Sequence, residues 1–278
     1  MGRSRVIAVA ALSLLALLAA CSGAPAATNQ PEPTATASDP PRYQRYVATG
    51  DSYSAGPLIA TTESQTGCFR SDHNYPHLLA ERLKATLVDV TCSAAETKDY
   101  AGRQHTLPGP VVAPQLKAVT PDTDLVTVGI GGNDFGLFIQ GISSGAAPAA
   151  GTVDKIGARV RRVLEAVHAK APEATVVLVG YPRLVDPGTR CPRRLSADST
   201  LLHTSIQVQR ELNRAMRRAA TATDSRFIDM FALSKGHGIC SKTPWVNGQQ
   251  NLPGKAAAFH PFVAEMRAAA DAIARSIS

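Results

Sequence analysis

The stretch Tyr46-Val47-Ala48-Thr49-Gly50-Asp51-Ser52-Tyr53-Ser54-Ala55-Gly56 decides how the rest of the chain is read. Apolar and β-branched residues run into a glycine and then into small polar ones, the pattern of a short buried strand that ends in a tight turn. Ser52 then stands where the strand turns toward a helix or loop, exposed at the carboxyl edge of a sheet. A serine hydroxyl is a weak nucleophile until a base takes its proton, and attack on a carbonyl needs donors to hold the oxyanion. The turn therefore raises the question of where those partners lie.

Working outward, residues 124–130 and 174–180 read as two more buried strands, and 226–229 as a fourth. Helical periodicity covers residues 76–87, 153–170, 196–223 and 261–277, with a weaker pattern at 111–119. Strands alternating with helices predict a three-layer α/β/α domain around a central, mainly parallel sheet. Reactive groups in such folds gather beyond the carboxyl ends of the strands. Gly131-Gly132-Asn133-Asp134 follows the second strand at that edge, and the Asn133 amide can donate to an oxyanion. His260, in Ala258-Phe259-His260-Pro261 before the last helix, is the candidate base. Asp51 and Asp134 read as ties for their loops, and Tyr181 and Trp245 as either acyl-groove or core residues.

The bulk composition is that of one folded domain, with 44% apolar and 18% charged residues in 278. The net charge of +7 is moderate. Arg159 and Arg162, and likewise Arg210, Arg214, Arg217 and Arg218, recur at helical spacing and read as solvated faces. Only 5% of residues are aromatic and no nucleic-acid-binding motif is present, so no nucleic-acid partner is expected. The six other histidines lack metal-ligand spacing, so neither metal nor cofactor is expected.

Arg3 and Arg5 precede a run at residues 6–20 that is apolar apart from Ser13, the order of a secretory signal. Leu18-Ala19-Ala20-Cys21 resembles the lipobox of bacterial lipoproteins, whose cysteine carries the lipid. The reading is a lipoprotein signal peptide at 1–20, lipidated Cys21, a flexible Ala, Thr, Pro and Ser-rich tether at 21–42, and a catalytic domain at 43–278. It predicts export and a lipid anchor at the outer face of the membrane, or secretion if Cys21 is not lipidated. Of five cysteines, Cys68, Cys92, Cys191 and Cys240 remain for pairing. Three connectivities are possible, and the sequential one, Cys68–Cys92 with Cys191–Cys240, closes the shorter loops and is expected.

The ordered blocks resemble the GDSL/SGNH hydrolase superfamily, and most closely its secreted actinobacterial lipases and esterases. The resemblance runs from about Tyr46 to the end. It rests on Gly50-Asp51-Ser52, Tyr75-Pro76, Cys92-Ser93-Ala94-Ala95, Gly131-Gly132-Asn133-Asp134, Gly180-Tyr181-Pro182-Arg183, Asn213, Gly238-Ile239-Cys240, Pro244-Trp245 and His260-Pro261. It implies a flavodoxin-like fold, attack by Ser52, proton relay by His260, and an oxyanion hole made by the Ser52 amide, the Asn133 side chain and a backbone amide of the second block. That amide aligns with Ala94, where the family usually has glycine. The aspartate often found three residues before the histidine is Ala257 here, so the resemblance implies a Ser-His dyad oriented by a backbone carbonyl. The expected activity is hydrolysis of a lipid, a short-to-medium acyl ester or an acylated envelope glycan, by a monomer. The alternatives are an acyltransferase using the same acyl-enzyme and a non-catalytic envelope-binding lipoprotein.

Overall fold

A computed structural model describes residues 42–278 apart from Leu107 and Ser144. The expected signal peptide, Cys21 and the tether up to residue 41 lie outside the described residues. The chain enters the domain at Arg42, whose guanidinium donates to the Ile277 carbonyl at 2.9 Å and ties the entry point to the last helix.

Five strands form the central sheet: β1 (Arg45–Gly50), β2 (Thr86–Asp89), β3 (Leu125–Gly129), β4 (Thr175–Val179) and β5 (Arg226–Ile228). All four pairings are parallel, and the spatial order is β2-β1-β3-β4-β5. This is the flavodoxin-like order, which reverses direction between β1 and β3. The register there is tight, with Gly50 opposite Gly129 at the carboxyl ends.

Six helices matter for the site: α1 (Ser52–Ala55), α2 (Tyr75–Leu83), α3 (Leu137–Ser143), α4 (Thr152–Lys170), α5 (Ser199–Ala222) and α6 (Val263–Ile277). In α4 the buried residues Ile156, Val160, Val163, Leu164 and Val167 make one stripe. That stripe and the matching one on α5 cover the face carrying Val47, Val126, Val128, Val176 and Leu178. The opposite face, with Tyr46, Ala48, Leu125, Val177 and Val179, is covered by α2 and α6. Period-two alternation along each strand thus feeds two apolar clusters, one per face. Each aliphatic side chain taken fully out of water contributes roughly 1.5–3 kcal/mol.

Two sequence expectations need correction. The helix expected over 76–87 stops at Leu83, because Lys84 turns left-handed (φ 55°) and Thr86–Asp89 pairs with β1 instead. Tertiary pairing of Leu87 and Val88 overrides the apolar periodicity that would continue the helix. The weak helix at 111–119 is instead a strand fragment and a 3₁₀ turn. Val111–Val112 pairs with Gln104–His105, and Gln115–Ala118 forms the turn after Pro114. Pro110 and Pro114 break any continuous helix there. Both expected disulfides are formed, Cys68–Cys92 and Cys191–Cys240.

Candidate active site

The turn that carries Ser52 is built from β1 and held by the neighbouring strand. The Asp51 amide donates to the Gly129 carbonyl at 2.8 Å, and Gln115 brackets the Gly50 peptide, accepting from its N–H at 2.7 Å and donating to its carbonyl at 3.0 Å. Gly50 has φ 150°, and a Cβ there would fall 2.6 Å from the Gly129 oxygen, so only glycine fits. Asp51 caps α1 by accepting from the Tyr53 amide at 2.9 Å. Ser52 is the first helical residue, so its own N–H has no helical acceptor and is available.

Three other segments converge on it. His260 places Nε2 2.8 Å from Ser52 Oγ and Nδ1 2.7 Å from the Ala258 carbonyl oxygen. A carbonyl can only accept, so the proton sits on Nδ1 and Nε2 is left to accept the serine's proton. Burial lowers the histidine's affinity for a proton below the ordinary value of 6.5, against the opposing pull of the Ala258 carbonyl. The imidazole is therefore neutral at neutral pH. Asn133 donates one amide hydrogen to the Ala95 carbonyl at 3.0 Å, which fixes its orientation and leaves the second hydrogen for a ligand. Ala94 lies in the left-handed region (φ 63°), and its amide makes no hydrogen bond among the described residues.

Ser52, Ala94, Asn133 and His260 share one groove of about 460 Å³, whose other walls are chiefly apolar: Tyr53, Pro57, Phe69, Phe138, Ile139 and Phe259. Ala257 lines it where a triad acid would otherwise stand. Asp51 and Asp134 are both fully buried and hold loops. Asp134 accepts from the Thr97 amide at 2.8 Å, the Thr97 hydroxyl at 2.5 Å and Arg159 at 3.0 Å. Asp51 accepts from Tyr181 at 2.5 Å, and burial lifts its carboxyl to about 7 although the Tyr181 and Tyr53 bonds pull it down. Tyr181 is a core residue at this spot, and Trp245 stacks on His237 away from the groove.

Sequence reading missed two supports of the histidine loop. Tyr53 donates its hydroxyl to the Phe259 carbonyl at 2.7 Å and lies 5.2 Å ring to ring from His260. Asn247 donates to the carbonyls of Gln250, Ala256 and Ala257 at 2.7, 3.1 and 3.0 Å, and its amide donates to the His260 carbonyl at 2.9 Å. A lone Asn in an irregular segment carries no periodic signal. Tyr53, next to the serine, could have been suspected from its place in the block.

A doubly covered parallel sheet with a serine, an imidazole and free amide donors at its switch point defines an α/β/α hydrolase that acts on acyl groups. Residues 48–266 match the GDSL-like Lipase/Acylhydrolase family, and the chain belongs to it. It is 37% identical over 266 residues to Lipase 2 of Streptomyces coelicolor, covering 86% of this chain and 84% of the relative. It is 34% identical to a lipase of Streptomyces rimosus, covering 88% of each. Among solved structures it is similar to the extracellular lipase of Streptomyces rimosus, with TM-score 0.70, 27% identity, and coverage of 84% of this chain and 100% of that one. It is equally similar to phospholipase A1 of Streptomyces albidoflavus, with TM-score 0.70, 26% identity, and coverage of 85% and 100%. The protein is a carboxylic ester hydrolase of the GDSL/SGNH type, and its two disulfides are compatible with export.

Proposed function

We propose that Ser52 is the nucleophile and His260 the general base of a two-step ester hydrolysis. Ser52 Oγ attacks the ester carbonyl while its proton passes to His260 Nε2. The oxyanion is held by the Ser52 and Ala94 amides and the free hydrogen of Asn133. Collapse breaks the bond to the alcohol, which leaves with the proton from His260. Water then attacks the acyl-enzyme, gives a proton to the same nitrogen, and the acid departs as Ser52 Oγ is reprotonated. The observation that carries this reading is the 2.8 Å contact from Ser52 Oγ to a histidine nitrogen whose partner nitrogen is committed to the Ala258 carbonyl.

A carbonyl fixes the tautomer as an aspartate would, but it stabilises the imidazolium less. Modest turnover follows. The apolar walls beside Ser52 favour lipid or short-to-medium acyl esters over acylated glycans. In the full chain, residues 18–21 support attachment of the enzyme to the envelope membrane through lipidated Cys21. The test is a panel of chromogenic esters of increasing acyl length with the domain 43–278 and its His260→Ala variant. Activity on acyl esters is expected in the first and a loss on the order of 10⁴–10⁶ in the second. Equal rates for the two proteins would refute the assignment of the base.

A further inference from the structure

Two tyrosines at the centre of this site, Tyr181 buried and Tyr53 half-buried, have hydroxyl bonds that hydrolysis does not require. Tyr181, only 2% exposed, donates to Asp51 Oδ2 at 2.5 Å and accepts from the Gly132 amide at 2.8 Å. Asp51 precedes the nucleophile, and its other oxygen holds the amide of the residue that follows it. Gly132 precedes Asn133. The phenol therefore joins the serine turn at the end of β1 to the oxyanion loop at the end of β3, at the point where sheet hydrogen bonding has stopped. Its own backbone is fixed by Asn213 of α5, which accepts from the Tyr181 amide at 2.9 Å and donates to its carbonyl at 3.2 Å. Tyr53 makes the corresponding link on the other side, from α1 to the Phe259 carbonyl, one residue before the histidine. Phe259 lies in the left-handed region (φ 62°), a conformation that a bulky residue keeps only when its surroundings hold it.

We propose that Tyr181 and Tyr53 are positioning residues with separate tasks: Tyr181 sets Asn133 against the Ser52 carbonyl site, and Tyr53 sets His260 against the Ser52 hydroxyl. The inference rests on the roles assigned above to Ser52, His260 and Asn133. Ring packing does not account for the arrangement. Tyr181 packs edge-on to Phe138 at 4.8 Å and to Tyr53 at 5.2 Å, and phenylalanine would keep both contacts. Its replacement by phenylalanine would remove only the hydroxyl, leaving the Gly132 amide and one Asp51 oxygen buried without a partner. The Gly131-Gly132 backbone, with φ 121° at Gly131, can then shift, and a displacement of the order of 1 Å at a catalytic group lowers turnover by up to about 100-fold.

A double-mutant cycle separates the tasks. Tyr181→Phe and Tyr53→Phe are each made alone and with Asn133→Ala, and kcat and KM for p-nitrophenyl butyrate are measured per site titrated with a fluorophosphonate. Titration confines the comparison to folded enzyme. Alone, each tyrosine variant is expected to lower kcat about tenfold with KM within about twofold. On the Asn133→Ala background, Tyr181→Phe is expected to lower kcat less than about twofold, because the group it positions is gone. Tyr53→Phe keeps its full factor there. An equal factor for Tyr181→Phe on both backgrounds, no effect at all, or a variant with no titratable sites would overturn the assignment of Tyr181. Loss of the Tyr53→Phe factor on the Asn133→Ala background would overturn the division of tasks. If Asn133→Ala alone leaves kcat unchanged, the oxyanion reading fails first, and the cycle shows that separately.

Discussion

The two halves of the site are held by different means. Ser52 and Asn133 stand two and four residues past the last residues of adjacent parallel strands, β1 and β3, on turns whose glycines are locked in register. His260 stands in a segment from residue 244 to 262 with no helix or strand of its own, only single bridges such as Val246 to Pro261. It is held by side-chain hydrogen bonds from Asn247 and Tyr53. A sheet edge positions a group through many cooperative bonds, whereas a loop depends on a few that single substitutions can remove.

After loss of the base itself, the largest expected effect is on the strand-borne half. Asn133→Ala removes one of the proposed oxyanion donors and is expected to lower kcat on the order of 10²–10³ while the fold survives. Because that change does not touch the histidine loop, the acid limb of kcat/KM is expected to stay where it is, below pH 6.5, as the buried imidazole dictates. A pH-rate profile of both proteins checks this.

The next effect compares the two clamps. Asn247→Ala and Gln115→Ala each delete a buried amide that brackets a backbone segment, and each is expected to destabilise the fold by about 1–3 kcal/mol in urea unfolding. Activity is expected to diverge. The Asn247 variant loosens the loop, lets water reach His260 and moves the acid limb up toward 6.5; the Gln115 variant, its turn still paired to β3, keeps the limb in place. Identical profiles would erase the distinction between the halves.

Glu265, in the first turn of α6 five residues past His260, sharpens it further. The carboxyl is 3% exposed, its Oε2 has no hydrogen-bond partner among the described residues, and burial lifts it to about 8 from an ordinary 4.5. The folded state therefore holds a proton that the unfolded chain releases, so the contribution of this group to stability is full below about 4.5 and is lost as pH rises toward 8. The slope is on the order of 1 kcal/mol per pH unit, and buried Asp51, lifted to about 7, adds to it in the same direction. Glu265→Gln is expected to flatten the thermal stability profile between pH 5 and 8 without lowering kcat. The smallest effect belongs to Ala94→Gly. It relieves a left-handed alanine and is expected to change stability by no more than about 1 kcal/mol, with turnover kept.

How much of this was legible follows the same division. The strand ends announced Ser52 and Asn133, because apolar runs stopped by glycine are a local signal. The long helices α4 and α5 were legible from their apolar stripes. The strand at Thr86–Asp89 was not, since its identity depends on pairing with β1 and its apolar residues also suited a helix. His260 could be nominated by the order of motifs, but the carbonyl that orients it could not. Ala258 presents its oxygen to the imidazole beside a left-handed residue, Phe259, whose carbonyl is bonded by Tyr53, far away in the chain.

The central claim is that Ser52 is activated by His260 alone, with a backbone carbonyl in place of an acid. Mass mapping of a fluorophosphonate adduct on wild type, Ser52→Ala and His260→Ala tests it most directly. The account requires one adduct per chain on the Ser52 peptide, none on the first variant, and labelling slowed by orders of magnitude on the second. Adduct on another residue, or undiminished labelling without the imidazole, would contradict it.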